Sequence, residues 1–440
     1  MSDPACEPVF HLEIAGLPEP FVVVAFTGSE AISEPFVYEV ELLNSDPTLD
    51  LAGLLYRSVW LSFGAPGRGV HGQLHELVQH RHGGGCRVRI GPTLACLAQR
   101  FNQRVFSARS VPQILRQVLK AHGISGRGLC LDLSGDYPLR DFCTQYRESD
   151  LQFLQRVCAE AGIHFHFEHA RDGHCLVFAD SAGSFPSIGE AIHAGDRQAT
   201  AVRTFSVQTD VLGEQIAQGR SHLMHLHSGR VLSLTAHPFE GWNQRWLLTK
   251  VEHRAQAGGY DNHFKAIPWG VPFTASRVPA KPRMVSRQRG WVVEVDEPTV
   301  QRAGRVAVQF DWVYQGEGAS PSHCWLPLAP ELAVDGAGGG LRDGTEVLVS
   351  FIEGDPDRPL ISAFLDGPAA SDLMDEPCAS ASAHDALWSS TPDPVLMSAI
   401  LNAEPLVLLC LLPGGGSFSP CAQPVCTCRL LTRRGLGVAP

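Results

Sequence analysis

The stretch VLVSFIEGDPDRPLISAFL, Val347–Leu365, decides how this chain is read: an apolar run, the seven-residue punctuation EGDPDRP at Glu353–Pro359, and a second apolar run. Val347, Val349 and Phe351 alternate with Leu348, Ser350 and Ile352, which fits a strand buried largely on both faces. Leu360, Ile361 and Phe364 resume it after the turn. Gly354 permits a positive φ, while Pro356 presets its own backbone and drives Asp355 into an extended conformation. Asp355, Asp357 and Arg358 then read as charges in a tight solvated connection.

Upstream, in GRVAVQFDW (Gly304–Trp312), Val306, Val308 and Phe310, with Trp312, point one way and Ala307, Gln309 and Asp311 the other. CWLPLAP (Cys324–Pro330) follows, with Trp325 as a further core candidate, then the Gly-rich DGAGGG (Asp335–Gly340), expected to be a flexible loop. Five short strands at these spacings predict a small closed barrel of the oligonucleotide/oligosaccharide-binding (OB) type. The order GRV-V-F-W, CW, EVLV-F-EGDPDRP-I resembles the barrel module of the VgrG family, the tip proteins of type VI secretion systems, themselves similar to hub and spike proteins of contractile phage tails.

An internal repeat needs no family knowledge. Shifting the chain by 173 residues superposes RSVWLSF on RVLSLTA and LHELVQHRHGGG on LLTKVEHRAQAG, so that Arg57/Arg230, Leu61/Leu234, Leu74/Leu247, Val78/Val251, His80/His253, Arg81/Arg254 and Gly85/Gly258 coincide. Between the copies the period turns helical. SVPQILRQVLKAHG opens with Ser110 and Gln113 as a capping box, presents Val111, Ile114, Leu115, Val118 and Leu119 on one face, and ends at Gly123. SDLQFLQRVCAEAG repeats the device from Ser149 and Gln152, with Leu151, Leu154, Val157, Cys158 and Ala161 inward, and the strand IHFHFEH follows. This block resembles the same family's hub region.

These patterns give a mainly β fold with an α/β insertion: two related tube-type β-barrels followed by a five-stranded OB barrel. The expected organisation is a first hub barrel at 1–100, the insertion at 101–200, a second, shortened barrel at 201–285, the OB barrel at 286–367 and an irregular tail at 368–440. The resemblance implies that two tube-like barrels in each of three chains form a pseudo-sixfold ring seated on a hexameric inner tube. Two features depart from the family. Only about two dozen residues, including SHLMHLH (Ser221–His227), separate Phe205–Asp210 from Leu234–Phe239, and no β-helical spike pattern follows the OB barrel. A truncated, non-assembling remnant is therefore the alternative reading, and a tail-associated hydrolase a third.

Composition narrows the function classes. A formal net charge of −11 without a basic cluster argues against nucleic acid, because phosphate contacts dominate that affinity. MSDPACEPVF has no basic stretch before an apolar core, so a cytoplasmic start followed by secretion through the type VI apparatus is expected, with target membranes met only by mechanical puncture. Of the thirteen cysteines, most are scattered singly and read as reduced thiols, and Cys426 and Cys428 form a CTC pair in the tail. Val395–Leu412 is apolar but broken by Asn402, Glu404 and Pro405.

No catalytic or cofactor constellation emerges. HELVQH (His75–His80) spaces its histidines five apart, not the four a zinc-protease helix requires, and its neighbours favour a strand. His164, His166 and His169 fall on the polar face of their strand; His222, His225 and His227 are similar company; neither group has a second kind of ligand at metal spacing beyond Glu168. The expectation is a structural protein without catalytic, cofactor or metal site. Its partners are two further copies, the tube protein, and an effector or tip-cap protein. Structure-bearing roles fall to Val306, Val308, Phe310, Trp312 and Trp325 in the barrel and Gly354, Asp355, Pro356 and Arg358 in its turn.

Overall fold

The structure, a computed structural model, describes residues 10–43, 52–79, 85–194, 201–256, 259–275, 277–293, 304–312, 323–334 and 342–365. Asp335–Gly340, His80, Arg81, Gly258 and the tail with Val395–Leu412, Cys426 and Cys428 lie outside these residues.

The first six strands close a barrel. They are β1 (His11–Ile14), β2 (Phe21–Ala31), β3 (Val37–Leu43), β4 (Ser58–Ser62), β5 (Gly69–Gln79) and β6 (Gly85–Gly91), hydrogen-bonded in the order β1-β4-β5-β6-β3-β2 with β1 returning to β2. Closure consumes the edges that an open sheet of this size would expose. Inward positions are apolar (Leu12, Phe26, Val40, Leu61, Leu74, Val88), the period-2 signature of strands with one dry face.

The insertion follows: β7 (Phe101–Phe106), α1 (Val111–Lys120), β8 (Leu129–Asp132), β9 (Cys143–Ser149), α2 (Asp150–Glu160), β10 (His164–Ala170) and β11 (Gly173–Ala179). The Gln113 side chain accepts from the Ser110 N–H at 2.9 Å, and at α2 the capping box is reciprocal: Gln152 Oε1 accepts from Ser149 N–H at 2.9 Å and Ser149 Oγ from Gln152 N–H at 3.2 Å. The five residues assigned to the dry face of α1 are all buried in the barrel's own core. At an order of 1.5–3 kcal/mol per fully buried aliphatic side chain, that face anchors the helix better than its propensity does. On α2, Phe153 is buried as well, while Leu151 and Ala161 are only half-buried.

A second six-strand unit repeats the first: β12 (Ser187–Ile192), β13 (Val202–Thr209), β14 (Gln215–Ser221), β15 (Arg230–Thr235), β16 (Arg245–Gln256) and β17 (Gly259–Pro268), in the order β12-β15-β16-β17-β14-β13. This is the strand order of the first barrel. Two register breaks also recur, Val23/Ala25 matching Val202/Thr204 and Leu74/Glu76 matching Leu248/Lys250. The unit is a half-barrel: β12 and β13 meet at a single bridge, His193 to Val202, and β12 runs parallel to β15 whereas β1 runs antiparallel to β4.

The shift of 173 holds for β4 on β15, so Arg57/Arg230 and Leu61/Leu234 are equivalent, but it fails by one residue on the next strand. Aligning the bulges pairs Leu74 with Leu248, not Leu247, and Leu77 with Val251, not Val78. Exposure agrees: Val78 is 41% exposed and Val251 is 0%. A one-residue slip exchanges the faces of a strand, so those two sequence identities are coincidental.

The remaining module has β18 (Gln288–Val292), β19 (Arg305–Phe310), β20 (His323–Pro327), α3 (Pro330–Val334), β21 (Glu346–Phe351) and β22 (Pro359–Phe364). Its sheet runs β20-β19-β18-β21-β22, and a Leu328–Ile361 bridge joins the outer strands into the expected five-stranded OB barrel. Among the described residues no helix is long and apolar enough to cross a membrane.

Candidate functional site: two joints between modules

The first joint fuses the two barrel units. β2 pairs with β1 only through Phe21 and Val22; from Phe26 to Ala31 the same edge pairs antiparallel with β16, Ala255 to Lys250. In β16 the division mirrors this, Arg245–Leu248 pairing with β15 and Lys250–Ala255 with β2. Each long strand therefore serves two partners, and one continuous sheet runs through both units.

Gly28 sits in that sheet between Tyr38 of β3 and His253 of β16. A Cβ at Gly28 would overlap the Tyr38 ring, so only glycine lets the phenol lie across β2. The ring stacks on His253 with centroids 5.5 Å apart, and its hydroxyl donates to Glu30 Oε1. Glu30, 4% exposed, also meets His227 Nδ1 at 3.0 Å, and its Oε2 accepts from the Ser228 N–H at 3.2 Å. His227 comes from the short SHLMHLH segment. Burial opposes ionisation of Glu30, but the His227 and His253 imidazoles outweigh it and hold the carboxyl well below its usual range. Burial, with the neighbouring Glu30 charge, pushes the Tyr38 phenol well up.

His164 and His166 of β10, read from alternation as lying on a polar face, are instead buried beneath Phe185, with centroids 4.5 and 5.4 Å from it. Gly229, at φ +71°, makes room: a Cβ there would come within 2.7 Å of His166 Cβ. Burial pulls His164 down to about 4 and His166 to about 3.

The second joint docks the OB barrel on the insertion, and here EGDPDRP departs from a solvated hairpin. Asp355 is extended as its proline demands, Gly354 has φ +74°, and Glu353 takes an unexpected φ of +55°. The turn closes through Arg358 N–H to Asp355 O at 3.0 Å and Ile352 N–H to Arg358 O at 3.0 Å, while the Arg358 side chain stays exposed. Gly354 and Pro356 are buried. Asp357 Oδ1 accepts from the Thr144 N–H of β9 at 2.6 Å, and Thr144 Oγ1 donates to Pro356 O at 2.9 Å. Lys281 bridges Asp355 and Asp357 at 2.7 Å to each, and Arg283 donates to Glu353 O at 2.9 Å. Burial raises Asp357; for Asp355 the Lys281 ammonium overcomes burial and lowers it.

Val308 and Phe310 are fully buried in the OB core, with Val306 and Trp312 partly buried against it. Trp312 meets Tyr146 of β9 edge-on at 5.9 Å, carrying the core across the joint. Cys324 and Leu326 take the inward positions of β20, and Trp325 stands half-buried on the other face beside His323. Sequence reasoning missed Asp357 and Thr144 as docking residues, and Glu30 with His253 at the barrel joint. Nothing within EGDPDRP tells which acid is buried, and Thr144 lies 213 positions away.

The family described as phage tail baseplate hub (GPD) matches residues 29–218, and that of the type VI secretion system/phage-baseplate injector OB domain matches 288–365. The spike protein VgrG4b of the type VI secretion system of Pseudomonas aeruginosa is 33% identical over 82% of this chain and 56% of its own length. VgrG5 from the same species is 34% identical over 83% and 58%. The chain thus spans little more than half the length of these curated relatives. Among solved structures, an E. coli component of the type VI secretion system, c3393, described as structurally similar to T4 bacteriophage tail proteins gp27 and gp5, superposes with a TM-score of 0.68 at 24% identity, covering 80% of this chain and 99% of that one. With a duplicated barrel unit and an OB module under these matches, the chain belongs to the VgrG family of type VI secretion spike proteins.

Proposed function

We propose that this chain is a non-enzymatic hub and tip component of a type VI puncturing device, three copies of which form a ring that caps the hexameric inner tube. The observation that carries the reading is the β2–β16 joint between two units of identical strand order. By the bulge alignment, β13 is the counterpart of β2 and β5 that of β16. Among the described residues, the outer edge of β13 from Phe205 to Thr209 and the edge of β5 from Leu77 to Gln79 have no ladder partner. Repeating the internal joint between protomers pairs β13 of one with β5 of the next. Three protomers then present six like units, the symmetry a hexameric tube end requires.

On this reading residues 1–100 and 201–285, together with β12, supply the ring, the rest of 101–200 braces it, and 286–367 narrows it toward the tip, where an effector or tip-cap protein binds. The chain leaves through the secretion apparatus with the device. Native mass spectrometry of the purified full chain tests the assembly. A species of three 47.7 kDa chains is the expected result, and a monomer at micromolar concentration would remove the basis for the cap.

A further inference from the structure

We propose that Glu30, His227 and His253 together bind one divalent transition-metal cation of the zinc class, clamping the two barrel units of a single chain. The three side chains come from β2, the segment before β15, and β16, and their ligand atoms all lie within 4.8 Å of one another. His227 Nδ1 stands 3.0 Å and His253 Nε2 3.6 Å from Glu30 Oε1. Donors around a tetrahedral zinc with bonds of about 2.0–2.1 Å are roughly 3.4 Å apart, so these separations bracket what one ion needs. Two imidazoles and a carboxylate are the borderline N/O set that suits zinc and its neighbours rather than calcium or magnesium.

Neighbouring groups position two of the three ligands. His253 Nδ1 lies 2.6 Å from the Tyr260 hydroxyl, whose oxygen also accepts from Asn262 Nδ2 at 3.1 Å. Of the two tautomers this contact allows, the one with Nδ1–H toward Tyr260 turns the Nε2 lone pair to the Glu30 side, and it is the one a metal-bound histidine takes from its outer partner. His253 is 2% exposed, and its Nε2 has no hydrogen-bond partner among the described residues. A buried Nε2 beside a buried carboxylate oxygen at 3.6 Å leaves both atoms placed to share one cation. Ser228 N–H on Oε2 leaves Oε1 as the ligating oxygen, and the Tyr38 hydroxyl is placed to support it. His227, 17% exposed, leaves a route to solvent for the ion and for a fourth ligand. The site lies within one protomer and is independent of the ring. The counterparts of Glu30 and His253 in the bulge alignment are Thr209 and Gln79, so a joint between protomers has no such site.

The test uses the full chain, stripped with chelator, dialysed, loaded with Zn²⁺ and assayed by elemental mass spectrometry, with Co²⁺ as the optical probe. About one equivalent per chain, visible Co²⁺ absorption of tetrahedral type, and a melting temperature raised by Zn²⁺ are expected. His227→Ala and Glu30→Gln should each lower the affinity at least tenfold, while His323→Ala, in the OB barrel, leaves it unchanged. Loading well below one equivalent in the folded wild-type chain overturns the proposal, and so does stoichiometric binding that survives His227→Ala, since other histidines and cysteines would then be the ligands. His227 is only partly buried, so its variant keeps the comparison valid should Glu30→Gln fold poorly.

Discussion

His164 and His166 stand two apart in β10, and alternation correctly puts both on one side of the strand. Which side is wet does not follow from the strand itself: the cover is Phe185, about twenty residues on, with Gly229 at the approach to His166. Their acidities, about 4 and about 3, lie below the ordinary imidazole value because burial penalises the charged ring. Protons therefore bind the unfolded chain more readily, so this stability is fully present above about pH 6.5 and is lost as pH falls toward the folded values. Each ring should cost about 2 kcal/mol at pH 5 relative to pH 7. Thermal melts from pH 7.5 to 5 should show a falling midpoint, with a distinctly shallower slope in the His164→Gln/His166→Gln double variant. An unchanged slope would mean that the two rings are not held neutral by burial.

At the scale of elements, helices and strands were legible because their signals are local. The capping boxes at Ser110 and Ser149 and the apolar face of α1 stand in the structure where the sequence puts them. The turn EGDPDRP was legible as a shape, fixed by Gly354 and Pro356, and illegible as a contact. Asp357 is held by Thr144 and Lys281, residues from two other segments, so its burial is a tertiary fact. Replacing it strands a buried backbone N–H and releases the ammonium. Asp357→Ala should therefore destabilise the docked OB barrel by ~2 kcal/mol. Limited proteolysis should then cut the stretch at 269–287 faster than in the parent, with Asp357→Asn intermediate. Equal cleavage rates in all three would show that the acid does not hold the joint.

For the molecule as a whole, duplication was legible from β4 and β15, whose ungapped match is real. The match along the next strand was off by one, since the two units' β-bulges fall 174 positions apart, Glu76 against Lys250, and sequence identity carries no marker for a bulge. The edge geometry supplies the corresponding experiment. Asp210 N–H bonds Glu214 O across the β13–β14 hairpin, so alternation turns the Thr209 N–H toward the open edge. Proline there removes an outward donor and leaves the internal ladder intact, a position that edge strands tolerate. For the ring proposed above, Thr209→Pro should convert a trimer to a monomer on a native mass spectrum while keeping a cooperative melt. A trimer that survives the change would place the contact between protomers elsewhere.

The direction of β12 limits how far the likeness of the two units extends. β12 lies parallel to β15 where β1 opposes β4. Five strands, β2–β6 and β13–β17, therefore agree in both position and polarity, while the sixth stave agrees in position alone. A parallel stave cannot be joined to its neighbour by a tight hairpin, so a long stretch of chain must intervene between β12 and β15.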